Sequence, residues 1–249
     1  MGDGLRLYGL NAVVTNAADG IGEAVARTLA KHGARVLAAD VDVSGVEQHF
    51  RAVKGVEGLF ADMHEPHRQA ALIDAAVKRL GGLDILVCDY PVRAESPVTA
   101  ADDALEDLLR QRAEVTLAAC RAALPHLRKS PAGRIVTVGL VRSLFAVEAR
   151  DAVRRAERNL ADITRALAVE TGAYGITANY VQPGGIMTPL ARKIFRKHKV
   201  LRDYCIANSA AHRLGEPVDV AKVVLFLASD DAVFVSGTGI AVDGGWSDV

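Results

Sequence analysis

Seven short apolar runs recur along the chain between longer stretches of helical periodicity: NAVVT, ARVLAA, GLFAD, LDILVC, GRIVTV, GITANYV and GIAVDGG. A strand with one face in water alternates polar and apolar residues, whereas a strand buried on both faces has no reason to. Unbroken runs separated by helices therefore predict an α/β fold, a doubly wound parallel sheet of the Rossmann type with right-handed crossovers and helices on both faces. A chain of 249 residues, 50% of them apolar, is long enough for one such core, so a single domain over 1–249 is expected. The least regular stretch, 184–216, is too long for an ordinary strand-to-helix loop. It reads as a helical lid or insertion, at about 186–214, over the carboxyl ends of the strands.

The charges balance, 30 Lys and Arg against 30 Asp and Glu, so no net field draws the chain to nucleic acid or anionic lipid. No apolar run approaches the ~18 residues that span a bilayer. The opening MGDGLRLYGLNAVV has no cationic segment followed by an apolar signal core. Cys88, Cys120 and Cys205 are an odd set at unrelated spacings, suiting neither a disulfide framework nor metal ligands, and the seven histidines show no ligand spacing. A cytoplasmic protein with no metal, nucleic-acid or membrane partner is expected.

After the first run comes TNAADGIGEAVARTLAKHG, in which Gly20 and Gly22 open a helix that Gly33 stops. Glycines here let backbone approach a pyrophosphate, and the helix start offers unpaired N–H groups and the positive end of its dipole. Tight packing alone produces the same turn, and the pattern leaves both readings open. Asp40 ends the second run about 20 residues beyond the glycines, where a carboxylate accepts hydrogen bonds from an adenosine ribose. It is equally an ordinary strand-end residue. A carboxylate at that place repels a 2′-phosphate, so the ligand it suits is NAD rather than NADP.

With RAALPHL, GRIV, ALAVE, YGITANYVQPGGIMTP, HRLGEPVDVAKVVLFLASD and SGTGIAVDGGW in order, the sequence resembles the short-chain dehydrogenase/reductase family over nearly its whole length. The family's Thr-Gly-x-x-x-Gly-x-Gly corresponds to TNAADGIG, and its adenine-contacting Asp to Asp62 of FADM. The resemblance implies an NAD site formed by Asn16, Asp19, Gly20, Ile21, Gly22, Asp40, Asp62, Met63 and Asp89. Pro183, Gly184, Ile186 and Thr188 would line its nicotinamide side.

The resemblance also implies an Asn-Ser-Tyr-Lys set, whose tyrosine exchanges a proton with substrate while hydride moves to or from nicotinamide. A phenol of pKa ~10 serves near neutrality only beside a cation. Counting back 13 residues from Glu170 of ALAVE puts Glu157 at the lysine position and, four earlier, Val153 at the tyrosine position. Leu140 falls at the serine position and Arg112 at the asparagine. No gap restores the set, because the chain has no Tyr between Tyr90 and Tyr174 and no Lys between Lys129 and Lys193. Ser143, the only hydroxyl residue between Thr137 and Thr164, reads as a loop residue. Asn16 stands at the family's first glycine, at some steric cost. Cys88, Asp89, Tyr90 and Pro91 replace its Asn-Asn-Ala-Gly; Tyr90 could fill the groove, stack on a ring or point outward.

Glu157 could accept ribose hydroxyls, with Arg154 and Arg158 holding its pKa down if they face it, but a helix-surface charge is the simpler reading. Asp89, Tyr90, Arg112, Glu148 and Asp151 form no recognised constellation, and no catalytic residue is assigned. The lid's Arg192, Lys193, Arg196, Lys197, Lys199 and Arg202 read as a solvated face sooner than an anion receptor. The expected protein binds NAD, has lost tyrosine-dependent hydride transfer, and serves a regulatory or structural role. By the resemblance it forms a homotetramer or dimer through helices spanning 101–127 and 150–171, or pairs with a catalytic paralogue; its small-molecule ligand is unknown. The alternative is an enzyme with non-standard residues in the same pocket, either an NAD-dependent oxidoreductase or a non-redox catalyst.

Overall fold

The seven apolar runs all become strands of one parallel sheet in the computed structural model, which describes residues 6–90, 103–145 and 149–246. They are β1 (Asn11–Thr15), β2 (Arg35–Asp40), β3 (Val56–Phe60), β4 (Ile85–Cys88), β5 (Arg134–Val138), β6 (Thr177–Pro183) and β7 (Gly239–Val242), ordered β3-β2-β1-β4-β5-β6-β7. Successive side chains serve opposite layers: Val14, Ala38, Val87 and Val136 face one core, Val13, Leu37, Leu86 and Ile135 the other. β3 departs from the run GLFAD. It begins at Val56 and is only partly buried, because an edge strand has a single neighbour, and its Phe60 ends 64% exposed.

One layer is made by α1 (Gly20–Lys31), α2 (Val43–Phe50) and α8 (Pro217–Ala228), the other by α3 (Gln69–Leu80), α4 (Asp103–Leu127) and α5 (Arg150–Thr171). Ile21, Val25 and Leu29, spaced by four, put one stripe of α1 into the core. Full burial of each such side chain contributes about 1.5–3 kcal/mol.

Residues 189–207 hold α6 (Pro189–Lys197) and α7 (Lys199–Ala207), where the sequence is least regular. Thr188 starts α6, its hydroxyl accepting from the Ala191 N–H at 3.1 Å, and Pro189 follows at the position where a missing N–H costs nothing. The underside of α6, Ala191, Ile194 and Phe195, is buried against Leu140, Leu144, Phe145 and Val153. Its outer Arg192 pairs with Glu216 at 3.1 Å, just before α8.

Strand order reverses between β1 and β4, and the crevice outside their carboxyl ends is where such sheets bind ligands. One glycine permits this crevice. A Cβ on Gly22 would stand 2.0 Å from the Asn16 carbonyl oxygen and 2.9 Å from that of Thr15, so the first turn of α1 sits on the end of β1 with no room for a side chain. Gly22→Ala is expected to lose at least about 3 kcal/mol in denaturant melts. Gly172→Ala, where a Cβ meets nothing within 4 Å at a helical φ of −58°, is expected to gain about 0.4–1 kcal/mol.

Candidate functional site

A cavity of about 510 Å³ opens at this crevice. The glycine turn supplies Asn16, Asp19, Gly20 and Ile21, the end of β2 supplies Asp40 and Asp42, and the segment after β3 supplies Met63 and His64. Asp89 and Tyr90 come from the end of β4, Arg112 from α4, and Gly139, Val141 and Leu144 from the segment after β5. Thr188, Leu190 and Lys193 close it from the side of α6.

Asn16 adopts φ 54°, the left-handed region that its short amide side chain tolerates at a cost of roughly 1 kcal/mol. Two contacts hold it there: its N–H donates to Met63 Sδ at 3.1 Å, and its side-chain Nδ2 donates to Asp89 Oδ2 at 3.2 Å. Asp40 Oδ2 accepts from the Ala18 N–H and Oδ1 from the Asp42 N–H, both at 3.0 Å. Each oxygen keeps a lone pair for a further donor. Asp19 stands at the start of α1, its carboxyl raised by desolvation first and then by the charges of Asp40 and Glu23, against the opposing Lys193 and His49. A Cβ on Gly20 would lie 3.5 Å from Thr188 Cγ2, so the glycine turn and the start of α6 meet across the cavity.

The other residues implied by the resemblance divide. Gly22 supports the turn without lining the cavity. Met63 lines it. Asp62 does not: its carboxylate accepts from the His64 N–H at 3.1 Å and from Arg68 Nη1 at 2.7 Å, and the His64 contacts lower its pKa. Of the four residues of the proline-glycine segment only Thr188 reaches the cavity. Pro183 ends β6, a Cβ on Gly184 would meet Asp243 Cβ at 2.5 Å, and Ile186 is packed in the core.

Arg112 and Asp89 meet inside. Arg112 Nη2 donates to the carbonyls of Val138 at 2.8 Å and Gly139 at 3.2 Å, and Nη1 donates to the Tyr90 carbonyl. The guanidinium thus joins the carboxyl ends of β4 and β5, with Asp89 Oδ1 3.8 Å from Nη2. Burial pushes the Asp89 carboxyl up to about 6, against the opposing pull of Arg112 and of the Asn16 hydrogen bond.

Leu140 and Val153, at the serine and tyrosine positions of the resemblance, are 3% and 7% exposed and belong to the apolar cluster beneath α6. Glu157 is no exposed helix charge. Its carboxylate accepts from Arg142 Nε at 3.1 Å and Nη2 at 3.4 Å, a half-buried pair that neighbours in sequence do not reveal. Tyr90 points neither outward nor along the groove: it is 4% exposed in the core with α3 and α4, its hydroxyl donating to Gln69 Oε1 at 3.3 Å. Ser143 sits in a 3-10 turn, Arg142–Leu144, while Pro91 and Glu148 lie outside the described residues. The basic residues of α6 and α7 are engaged in part, Arg192 with Glu216 and Arg202 with Asp203, and Lys193 alone of the cluster lines the cavity. Sequence reasoning passed over His64, Val141, Leu144 and Leu190. For His64 a signal existed, since an Asp at a strand end commonly accepts the N–H two residues on.

A family model described as Enoyl-(Acyl carrier protein) reductase matches residues 16–247. The chain is 35% identical over 244 residues to a cis-4-hydroxycyclohexanecarboxylate dehydrogenase of Sinomonas cyclohexanicum, covering 96% of each. It is 32% identical over 246 residues to a 3-oxoacyl-(acyl-carrier-protein) reductase of Pseudomonas aeruginosa, covering 97% of this chain and 98% of that one. A hydroxysteroid dehydrogenase from Escherichia coli superposes with a TM-score of 0.85 at 25% identity, over 99% of this chain and 100% of that one.

Because Asp89 holds its proton more tightly folded than unfolded, its contribution to stability is present below pH 3.8 and lost as pH rises through about 6. Asp89→Asn has no proton to lose, so its melting temperature should rise relative to the native chain between those values and the gain should level off above them. Arg112→Met, which strands a buried carboxylate and frees three carbonyls, is expected to cost about 3–5 kcal/mol at pH 7.5 by denaturant titration.

Proposed function

The chain belongs to the short-chain dehydrogenase/reductase family, and on that footing we propose that it binds NAD(H) at the β1/β4 strand ends but has lost the family's tyrosine-driven hydride transfer. The observation that carries the reading is the apolar cluster at residues 140 and 153: Leu140 and Val153 are packed with Ile194 and Phe195, where a proton-exchanging pair would need oxygen atoms.

The family implies a nicotinamide dinucleotide, and the residues present suit one. Gly20 and Ile21 open α1 toward the cavity, Gly22 gives the close turn, and Asp40 keeps lone pairs for ribose hydroxyls. The Asp40 carboxylate favours NAD over NADP, since a 2′-phosphate would be repelled there. Asn16, Asp19, Met63, Asp89 and Thr188 would complete the walls. When bound, the dinucleotide supplies a nicotinamide ring that gives or takes hydride. Opposite it this chain offers no phenol; Glu157 is committed to Arg142, and Arg112 to carbonyls of β4 and β5.

The role that follows is regulatory or structural, in a homotetramer or dimer through α4 and α5, or in a pairing with a catalytic paralogue. Family members are commonly oligomeric, which supports assembly. Three buried, unbridged cysteines support a cytoplasmic setting; among the described residues no helix is long and apolar enough to cross a membrane. One observation favours a second reading, an enzyme with non-standard residues: Asp89, a carboxyl pushed up to about 6, lines the cavity and lies in the pH range of a general acid or base.

Titration of NAD, NADH and NADPH, followed by melting temperature and NADH fluorescence, tests the binding. Stabilisation by micromolar NADH and not by NADPH is expected, and silence to millimolar would remove the reading. Asp40→Ala should weaken NADH about tenfold or more. The native chain should leave simple ketones unreduced, and turnover of them would overturn the proposed loss. Leu140→Ser, Val153→Tyr and Glu157→Lys together should yield NADH-dependent ketone reduction.

A further inference from the structure

We propose that Asp89 couples nucleotide binding to proton uptake: a phosphate-bearing nucleotide binds most tightly when the Asp89 carboxyl is neutral, and its entry draws a proton onto that group. The proposal rests on the reading of the cavity as a nucleotide site and adds a linkage which that reading does not require.

The backbone of Asp89 is held at the cavity wall. Its N–H donates to Thr15 Oγ1 at 2.9 Å and its carbonyl accepts from the same hydroxyl at 2.5 Å, which fixes the end of β4 against the end of β1. Its side chain faces the glycine turn, where Asn16 Nδ2 donates to Oδ2.

The charges around it are few and uneven. Asp19 stands on the glycine turn, Asp40 and Asp42 at the end of β2, His64 after β3, Arg112 on α4 and Lys193 on α6. Arg112 is the nearest cation, but its guanidinium donates to the carbonyls of Tyr90, Val138 and Gly139 and remains 3.8 Å from the carboxylate, beyond hydrogen-bond reach. Asp19 opposes ionisation from across the turn.

Phosphates laid on the glycine turn would add negative charge to a wall already holding these carboxylates and would displace the water that screens them. Asp89, whose carboxyl burial has already raised to about 6, relieves the repulsion by taking a proton. A further rise of about one pKa unit on binding corresponds to about tenfold in affinity between the neutral and ionised forms.

The test is binding of NADH and of ADP-ribose, whose diphosphate has no proton of its own to gain in this range, at pH 5.5, 6.5 and 7.5, by calorimetry in two buffers of different ionisation enthalpy so that proton uptake is counted directly. Uncharged adenosine serves as the phosphate-free probe. Native protein should bind NADH and ADP-ribose about sixfold more tightly at pH 5.5 than at pH 7.5 and take up a fraction of a proton at pH 6.5, whereas adenosine should bind with little dependence on pH. Asp89→Asn should bind ADP-ribose at pH 7.5 as tightly as native protein does at pH 5.5, with the uptake gone. Uptake that persists in Asp89→Asn assigns the proton to another group and overturns the proposal, as does pH-independent NADH affinity in the native chain. Should Asp89→Asn fail to fold, equal uptake with ADP-ribose and adenosine in native protein overturns it instead. Absence of binding by all three ligands at every pH removes the nucleotide reading itself, and this inference with it.

Discussion

The first turn of α1 rests on the end of β1 with a carbonyl oxygen 2.0 Å from where a side chain at residue 22 would begin, and everything at the carboxyl edge of the sheet is arranged around that contact. It sets the height of the helix over the crevice, places Gly20 and Ile21 in the cavity wall, and brings Asn16 within reach of Asp89 on the neighbouring strand. The contact is local, yet it depends on packing within its layer: α1 is held down beside α8 through the apolar stripe of Ile21, Val25 and Leu29.

From this contact the cavity runs in two directions of unlike chemistry. Toward β2 it is polar, with Asp40 anchored by two backbone N–H groups and Asp19 beside it. Toward α6 it becomes apolar, ending at Val141, Leu144 and Leu190 above the packed Leu140, Val153, Ile194 and Phe195. Between the two lies Arg112, the one buried cation among the described residues of the wall, whose charge is divided among three carbonyls and a carboxylate. At the apolar end Lys193 is the one ionisable side chain among the described residues of the lining.

The strand pattern was legible because burial on both faces imposes a simple rule on composition, and the five inner strands, β1, β2, β4, β5 and β6, are buried as it requires. The glycine turn was legible as well, since only backbone needs fix glycine at residue 22. Edge effects were not: GLFAD carries no mark of lying beside a single neighbour, which is why β3 starts earlier and leaves Phe60 in water. Side-chain directions at the site were least legible. Arg112 reads in sequence as the residue at the family's asparagine position, which gives no hint of its carbonyl partners 22 to 27 residues away. Glu157 found its partner in Arg142, 15 residues upstream, where neighbours within a helical turn were the natural guess. Tyr90 turned inward because Gln69 offered its hydroxyl an acceptor in the core, something only the packing of α3 against α4 creates.

The underside of α6 carries a thermal consequence. Ala191, Ile194 and Phe195 are sealed against aliphatic and aromatic neighbours, so any displacement of this helix to admit a large ligand wets apolar surface. Wetting of that kind has a positive heat capacity and little enthalpy near room temperature. Displacement of α6 would therefore be opposed mainly by solvent ordering, and that opposition would weaken on cooling.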